Sequence, residues 1–118
     1  MQPDFTPPPA EAVPGELDRV FRAYGLKRLG VPVGVGGGTL NWNYRVETSR
    51  GAVFARRWRS GVTVERVVEE HQLLWWVAER GVPVVQPLKT TGGATVQALG
   101  DALWSVFPWI EGRTTIRG

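Results

Sequence analysis

The 118-residue sequence contains no cysteine, which excludes disulfides, zinc–thiolate centres and thiol catalysis. It has one histidine, His71, and its only aspartates are Asp4, Asp18 and Asp101. A Ser/His/Asp relay or a cluster of metal ligands has too little to build from. No apolar run approaches the length that a bilayer crossing requires. The opening Met1-Gln-Pro-Asp-Phe-Thr-Pro-Pro-Pro9 has neither a basic start nor an apolar stretch, so no signal peptide is expected and the cytoplasm is the expected compartment.

What is present suits a packed domain, or part of one. Hydrophobic residues make up 42%, and Trp42, Trp58, Trp75, Trp76, Trp104 and Trp109 supply large buriable area. The net charge is +3, carried mostly by arginine. Such a balance attracts phosphates or nucleic acid; the favoured reading is the plainer one, an Arg-, Ala-, Gly- and Val-rich coding preference. Only Arg56, Arg57 and Arg59 cluster.

Residues 1–15, rich in proline and small side chains, read as a disordered leader. Leu17, Val20, Phe21 and Tyr24 share one face of a helix over 16–24, which Gly25 ends. Strands are predicted over 29–35, 41–48 and 52–58. Thr63 is the expected N-cap of a long helix to Arg80, stopped by Gly81 and Pro83. Val64, Val67, Val68, His71 and Leu74 form one stripe of it, but 73–78 is apolar all round and calls for cover on every side. Two further strands, 95–99 and 102–110, form a meander. One long helix among consecutive hairpins gives an α+β fold with an antiparallel five-stranded sheet.

The segment from Gly34 to Val46 holds Gly36-Gly-Gly38 between two β-branched runs. Successive N–H groups in such a turn can form a nest for phosphate, and a hairpin needing positive φ uses glycine just as well. Arg56 and Arg57 alternate on a strand, so one of them faces the glycine hairpin. Glu70 lies on the helical turn that approaches that arginine and is placed to hold its guanidinium in a bidentate pair. Glu65, Glu69 and Glu79 read as solvated helix charges, and His71 as a residue that packs or caps. The stretch Trp104 to Gly112 is a strand running into a linker; its free backbone groups suit an adenine edge, or it is an edge strand interrupted by Pro108.

Together these pieces resemble the N-terminal lobe of the aminoglycoside phosphotransferase/choline kinase-like superfamily, with homoserine kinase-type members close. The matching stretches are Gly37 to Val46, Gly51 to Arg57, Glu70 to Val84, and Phe107 to Gly112. The resemblance covers residues 16–115. It implies a protein kinase-like small lobe over 16–112 that closes over ATP. Gly37, Gly38, Thr39 and Asn41 would cover the phosphates, Arg56 would contact them, and Glu70 would hold Arg56. With Val106 as gatekeeper, the Phe107 carbonyl and Trp109 amide would meet adenine. Arginine at 56 is a flatter, permanently charged substitute for lysine.

The superfamily's His-x-Asp catalytic loop and magnesium-binding aspartate belong to a second lobe. His71 is followed by Gln72 and Leu73, so the expectation is a small lobe without its C-terminal lobe, with 113–118 as the start of the linker, and inactive alone. A separate C-terminal lobe, or self-association through the apolar helix face, would supply the missing cover. The alternative is a basic, Trp-rich module binding protein or single-stranded nucleic acid, with Trp42 and Trp58 as stacking platforms.

Overall fold

The computed structural model describes residues 7–36 and 41–110. The expected loop residues Gly37, Gly38 and Thr39, and the expected linker 113–118, lie outside the described residues. A 3₁₀ turn, Ala10–Ala12, leads into α1, Val13–Ala23. β1 (Val33–Val35), β2 (Trp42–Thr48) and β3 (Gly51–Arg57) follow, then α2 (Val64–Glu79), β4 (Val96–Leu99) and β5 (Ala102–Pro108). The five strands form one antiparallel sheet in the order β1-β2-β3-β5-β4. The expected α+β architecture is the one observed.

The helix ends are written in glycine. After α1, Gly25 takes φ +69° and after α2, Gly81 takes φ +84°. Both close as Schellman motifs: Leu26 N bonds Phe21 O at 2.9 Å, and Val82 N bonds Val77 O at 3.1 Å. Thr63 caps α2 as expected, its Oγ1 accepting from Arg66 N at 3.2 Å. Helix α1 starts earlier than the sequence pattern suggests. Val13 is buried and Pro14 falls in the first turn, where its missing N–H costs nothing, so 10–15 is structured and not part of an extended leader.

Strand β1 is shorter than the expected 29–35. Arg28 lies opposite Thr48 and Val33 opposite Arg45, so the chain advances five residues while its partner advances three. The surplus is taken up around Gly30-Val31-Pro32, where proline cannot continue the ladder.

The two faces of the sheet carry different cores. Against α1 pack Val46, Val53, Ala55, Trp104 and Val106, with Leu17, Val20 and Phe21 of the helix. On the other face, Phe54 and Phe107 meet Leu74 of α2 together with Val85. Trp58, Val67 and Val96 extend that second layer. Leu73 and Trp76 of α2 stay 59% and 52% exposed, so the all-round apolar segment is uncovered on its outer side.

Candidate functional site

Strand alternation sends the paired arginines to opposite faces. Arg56 joins Phe54 and Trp58 on the α2 side, and Arg57 joins Val53 and Ala55 on the α1 side. Arg56 is 1% exposed. Its guanidinium carbon lies 5.5 Å from the Phe54 ring centroid, 5.4 Å from Trp58 and 5.8 Å from Phe107, a box of aromatic faces suited to a cation. Its Nε donates to Asn43 Oδ1 at 3.0 Å, and Asn43 is the residue directly across the β2–β3 ladder. Burial pulls the Arg56 pKa down to about 10, against which the Glu70 charge raises it. Arg56 is therefore still a cation at neutral pH.

Glu70 shares this side of the sheet, but the expected bidentate pair is not formed. Among the described residues Glu70 makes no ion pair within 4.0 Å; it acts on Arg56 through its field. Asn43 occupies the Nε fork instead, and three rings hold the guanidinium plane. Asn43 was not legible, because its place opposite Arg56 is set by the cross-strand register.

Asn41, expected in the phosphate loop, is buried, and its Oδ1 accepts from Arg59 N at 2.9 Å. The carbonyl thus ties the end of the glycine loop to the exit of β3. His71 is 1% exposed, with Nδ1 2.6 Å from Thr95 Oγ1 and its ring edge-on to Phe107 at 5.8 Å. Burial, reinforced by the Arg56 charge, pushes its pKa down to about 4, so it is neutral at physiological pH. It packs, as expected.

The residues expected to meet adenine, Phe107 and Trp109, lie at and just beyond the C-terminal end of β5. Val106 packs on the α1 face, away from Arg56, whereas Phe107 lies against Arg56 and Phe54. The Trp109 amide already donates to Ala52 O at 3.1 Å, continuing the ladder with β3, and its ring stacks on Phe54 at 6.2 Å. Phe107, two residues back and opposite Phe54, shares that inward backbone parity. The outward parity belongs to 106, 108 and 110: Val106 O accepts from Leu88 N at 2.8 Å on the far side of β5. The backbone groups turned away from β3 next to Phe107 are therefore those of Pro108 and Ile110.

Of the two stacking platforms of the nucleic-acid alternative, Trp42 is half-buried and Trp58 is enclosed. Trp58 is 3% exposed and donates Nε1 to Ser105 Oγ at 2.8 Å. The sequence pattern could not separate a basic surface tryptophan from one enclosing a buried cation.

On the α1 face, Glu16 Oε1 accepts from Arg57 Nε and from Trp104 Nε1, each at 2.9 Å. A cavity of about 690 Å³ opens beside this hub, lined by Glu16, Arg57 and Trp58 among others. No group of residues suited to holding a metal ion occurs among the described residues, and no described helix is long and apolar enough to cross a membrane.

A five-stranded antiparallel sheet with a capped helix on the face that carries a strand cation is the small lobe of kinase-like phosphotransferases. Residues 32–117 match the Phosphotransferase enzyme family, and the chain belongs to that family. Among curated relatives, homoserine kinase of Caulobacter vibrioides (strain NA1000 / CB15N) is 31% identical over 100 residues, 82% of this chain and 31% of that protein. Homoserine kinase of Rhodopseudomonas palustris (strain BisB18) is 30% identical over 97 residues, 82% of this chain and 30% of its own. The chain thus spans about a third of the length of these relatives. In fold it is similar to spectinomycin phosphotransferase, solved in complex with ADP and spectinomycin, with a TM-score of 0.65 at 19% identity over 90% of this chain and 31% of that one.

Proposed function

We propose that this chain forms the ATP-binding small lobe of a small-molecule phosphotransferase, one that moves the γ-phosphoryl group of ATP to a hydroxyl of an amino alcohol, aminoglycoside or similar metabolite. The observation that carries this reading is Arg56: a permanently charged group, 1% exposed, oriented by Asn43 and biased by Glu70 in a chain of the phosphotransferase family. A cation removed from water interacts strongly with an incoming phosphate, because little bulk solvent screens the pair. Its guanidinium fork suits phosphate oxygens.

Arg56 holds the α- and β-phosphates, Glu70 balances its charge, and Gly37, Gly38 and Thr39 close over them with Asn41 anchoring the loop's end. Phe107 is the gatekeeper, and the Pro108 carbonyl and Ile110 amide meet the adenine edge. The Trp109 ring, stacked on Phe54, forms a wall of the base pocket. Because Arg56 is almost wholly covered, its guanidinium has to be uncovered before a nucleotide reaches it. The support is the family match, the fold shared with a protein solved with ADP, and the side-chain and backbone parity of β3 and β5.

Residues 1–118 contain no His-x-Asp. The chain alone is expected to bind Mg-ATP weakly, with a dissociation constant on the order of 1 mM or above, and to transfer no phosphate. Titration of the isotope-labelled protein with Mg-ATP should shift the Arg56 Nε–H and Ile110 amide resonances, and Arg56→Gln, which has no Nε–H to observe, should abolish the Ile110 shift. Shifts confined to other residues, or unchanged in Arg56→Gln, would refute the site.

A further inference from the structure

The cavity of about 690 Å³ on the α1 face has no part in the nucleotide reading. It is walled by Glu16 and Arg19 of α1, Trp42 at the start of β2, Arg57 at the end of β3, and Leu99 and Asp101 at the β4–β5 turn. Its size falls within the roughly 300–1,000 Å³ of small-molecule sites.

The polar groups in this cavity are paired by sign and only half used. Arg57 engages Glu16 through Nε, and both hydrogen bonds to Glu16 fall on Oε1. Among the described residues nothing hydrogen-bonds Glu16 Oε2 or the Arg57 Nη groups. The Glu16 and Arg57 side chains are 17% and 23% exposed, so these free groups are partly shielded from water. Arg19 and Asp101, on the rim, make no hydrogen bond or ion pair among the described residues. A lone anion here would face two carboxylates, and a lone cation two guanidinium groups. A dipolar ligand meets both signs with their complements. Trp42, half-buried, and Leu99 add an apolar and a flat surface.

We propose that this cavity is a second ligand site, taking an amino-acid-like zwitterion up to about dipeptide size. Its carboxylate lies against Arg57 and Arg19, its ammonium against Glu16 Oε2 and Asp101, and its side chain on Trp42.

Calorimetric titration of the full chain with L-alanyl-L-leucine tests this, beside its N-acetylated form, which lacks the ammonium, and its C-terminal amide, which lacks the carboxylate. The dipeptide should bind saturably, and removing either charge should weaken binding by about tenfold or more. Arg19→Gln and Asp101→Asn, both at exposed positions outside the core, should each weaken the dipeptide while circular dichroism stays that of the parent. Trp42→Ala should weaken all apolar ligands. No saturable binding to about 10 mM, or equal binding of all three ligands, would overturn the proposal, as would parental affinity in the Arg19 and Asp101 variants. None of these outcomes depends on whether ATP binds at Arg56.

Discussion

Arg56 has to remain charged while almost wholly withdrawn from water, and its neighbours show how. Three ring faces and one amide oxygen replace part of its hydration, and Glu70 adds a favourable field. His71 meets the opposite fate two helical turns from the Thr63 cap: burial and the Arg56 charge hold it neutral. Among the described residues its buried Nε2 has no hydrogen-bond partner, so protonation would place an uncompensated charge beside a guanidinium. Since the folded pKa, about 4, lies below the ordinary 6.5, the unfolded chain binds the extra proton first. Stability from this residue is complete above pH about 6.5 and falls as pH drops toward about 4, by on the order of 3 kcal/mol. Chemical denaturation across that range should show the decline, and His71→Phe, which keeps a ring against Trp58 and Phe107, should flatten it. An unchanged slope in the variant would assign the decline to carboxylates instead.

At the scale of elements, the two Schellman endings make a sharp contrast with an ordinary helical glycine. Gly81 sits at φ +84° with open space where a Cβ would go, so Gly81→Ala suffers backbone strain alone. The expected loss is about 1 kcal/mol, or a fall in Tm of about 4–8 °C for a chain of this size. Gly15, inside α1 and equally open, needs no positive φ. Gly15→Ala should therefore raise stability by about 0.5–1 kcal/mol. Thermal melts of the two variants should move in opposite directions; a shift of the same sign would contradict the assigned backbone geometry.

The same elements show what sequence could reveal. Caps, glycine stops and β-branched runs are local signals, so α2 and the cores of β2, β3 and β5 were legible to within a residue or two. The start of α1 was not, because Val13-Pro14-Gly15 has poor helix propensity and is held by burial of Val13 against the sheet. Within the site, alternation correctly separated Arg56 from Arg57. It could not say that Glu70 stands off while Asn43 takes the guanidinium, since that depends on cross-strand register. The backbone parity of β5 near Pro108 was out of reach for the same reason.

For the whole molecule, the decisive asymmetry is between a sealed sheet interior and an open outer surface of α2. Leu73 at 59% and Trp76 at 52% exposure lie on that helix, and the Arg80 guanidinium carbon sits 3.7 Å from the Trp76 ring centroid. Edge strand β1 adds Val33, and the segment leading into it Leu29 and Val31, each more than half exposed. An apolar helix face and an unpaired, apolar strand edge are both surfaces that associate in water. The 118-residue chain should therefore elute from size-exclusion columns with an apparent mass that rises with concentration. Leu73→Lys with Trp76→Lys should return it towards a monomer, with Tm changed little because neither side chain is in the core. If the parent stays monomeric at every concentration, the exposed face is innocuous. If the double variant still associates, the contact runs through β1, and Val33→Lys on the edge strand should then be the substitution that dissolves it.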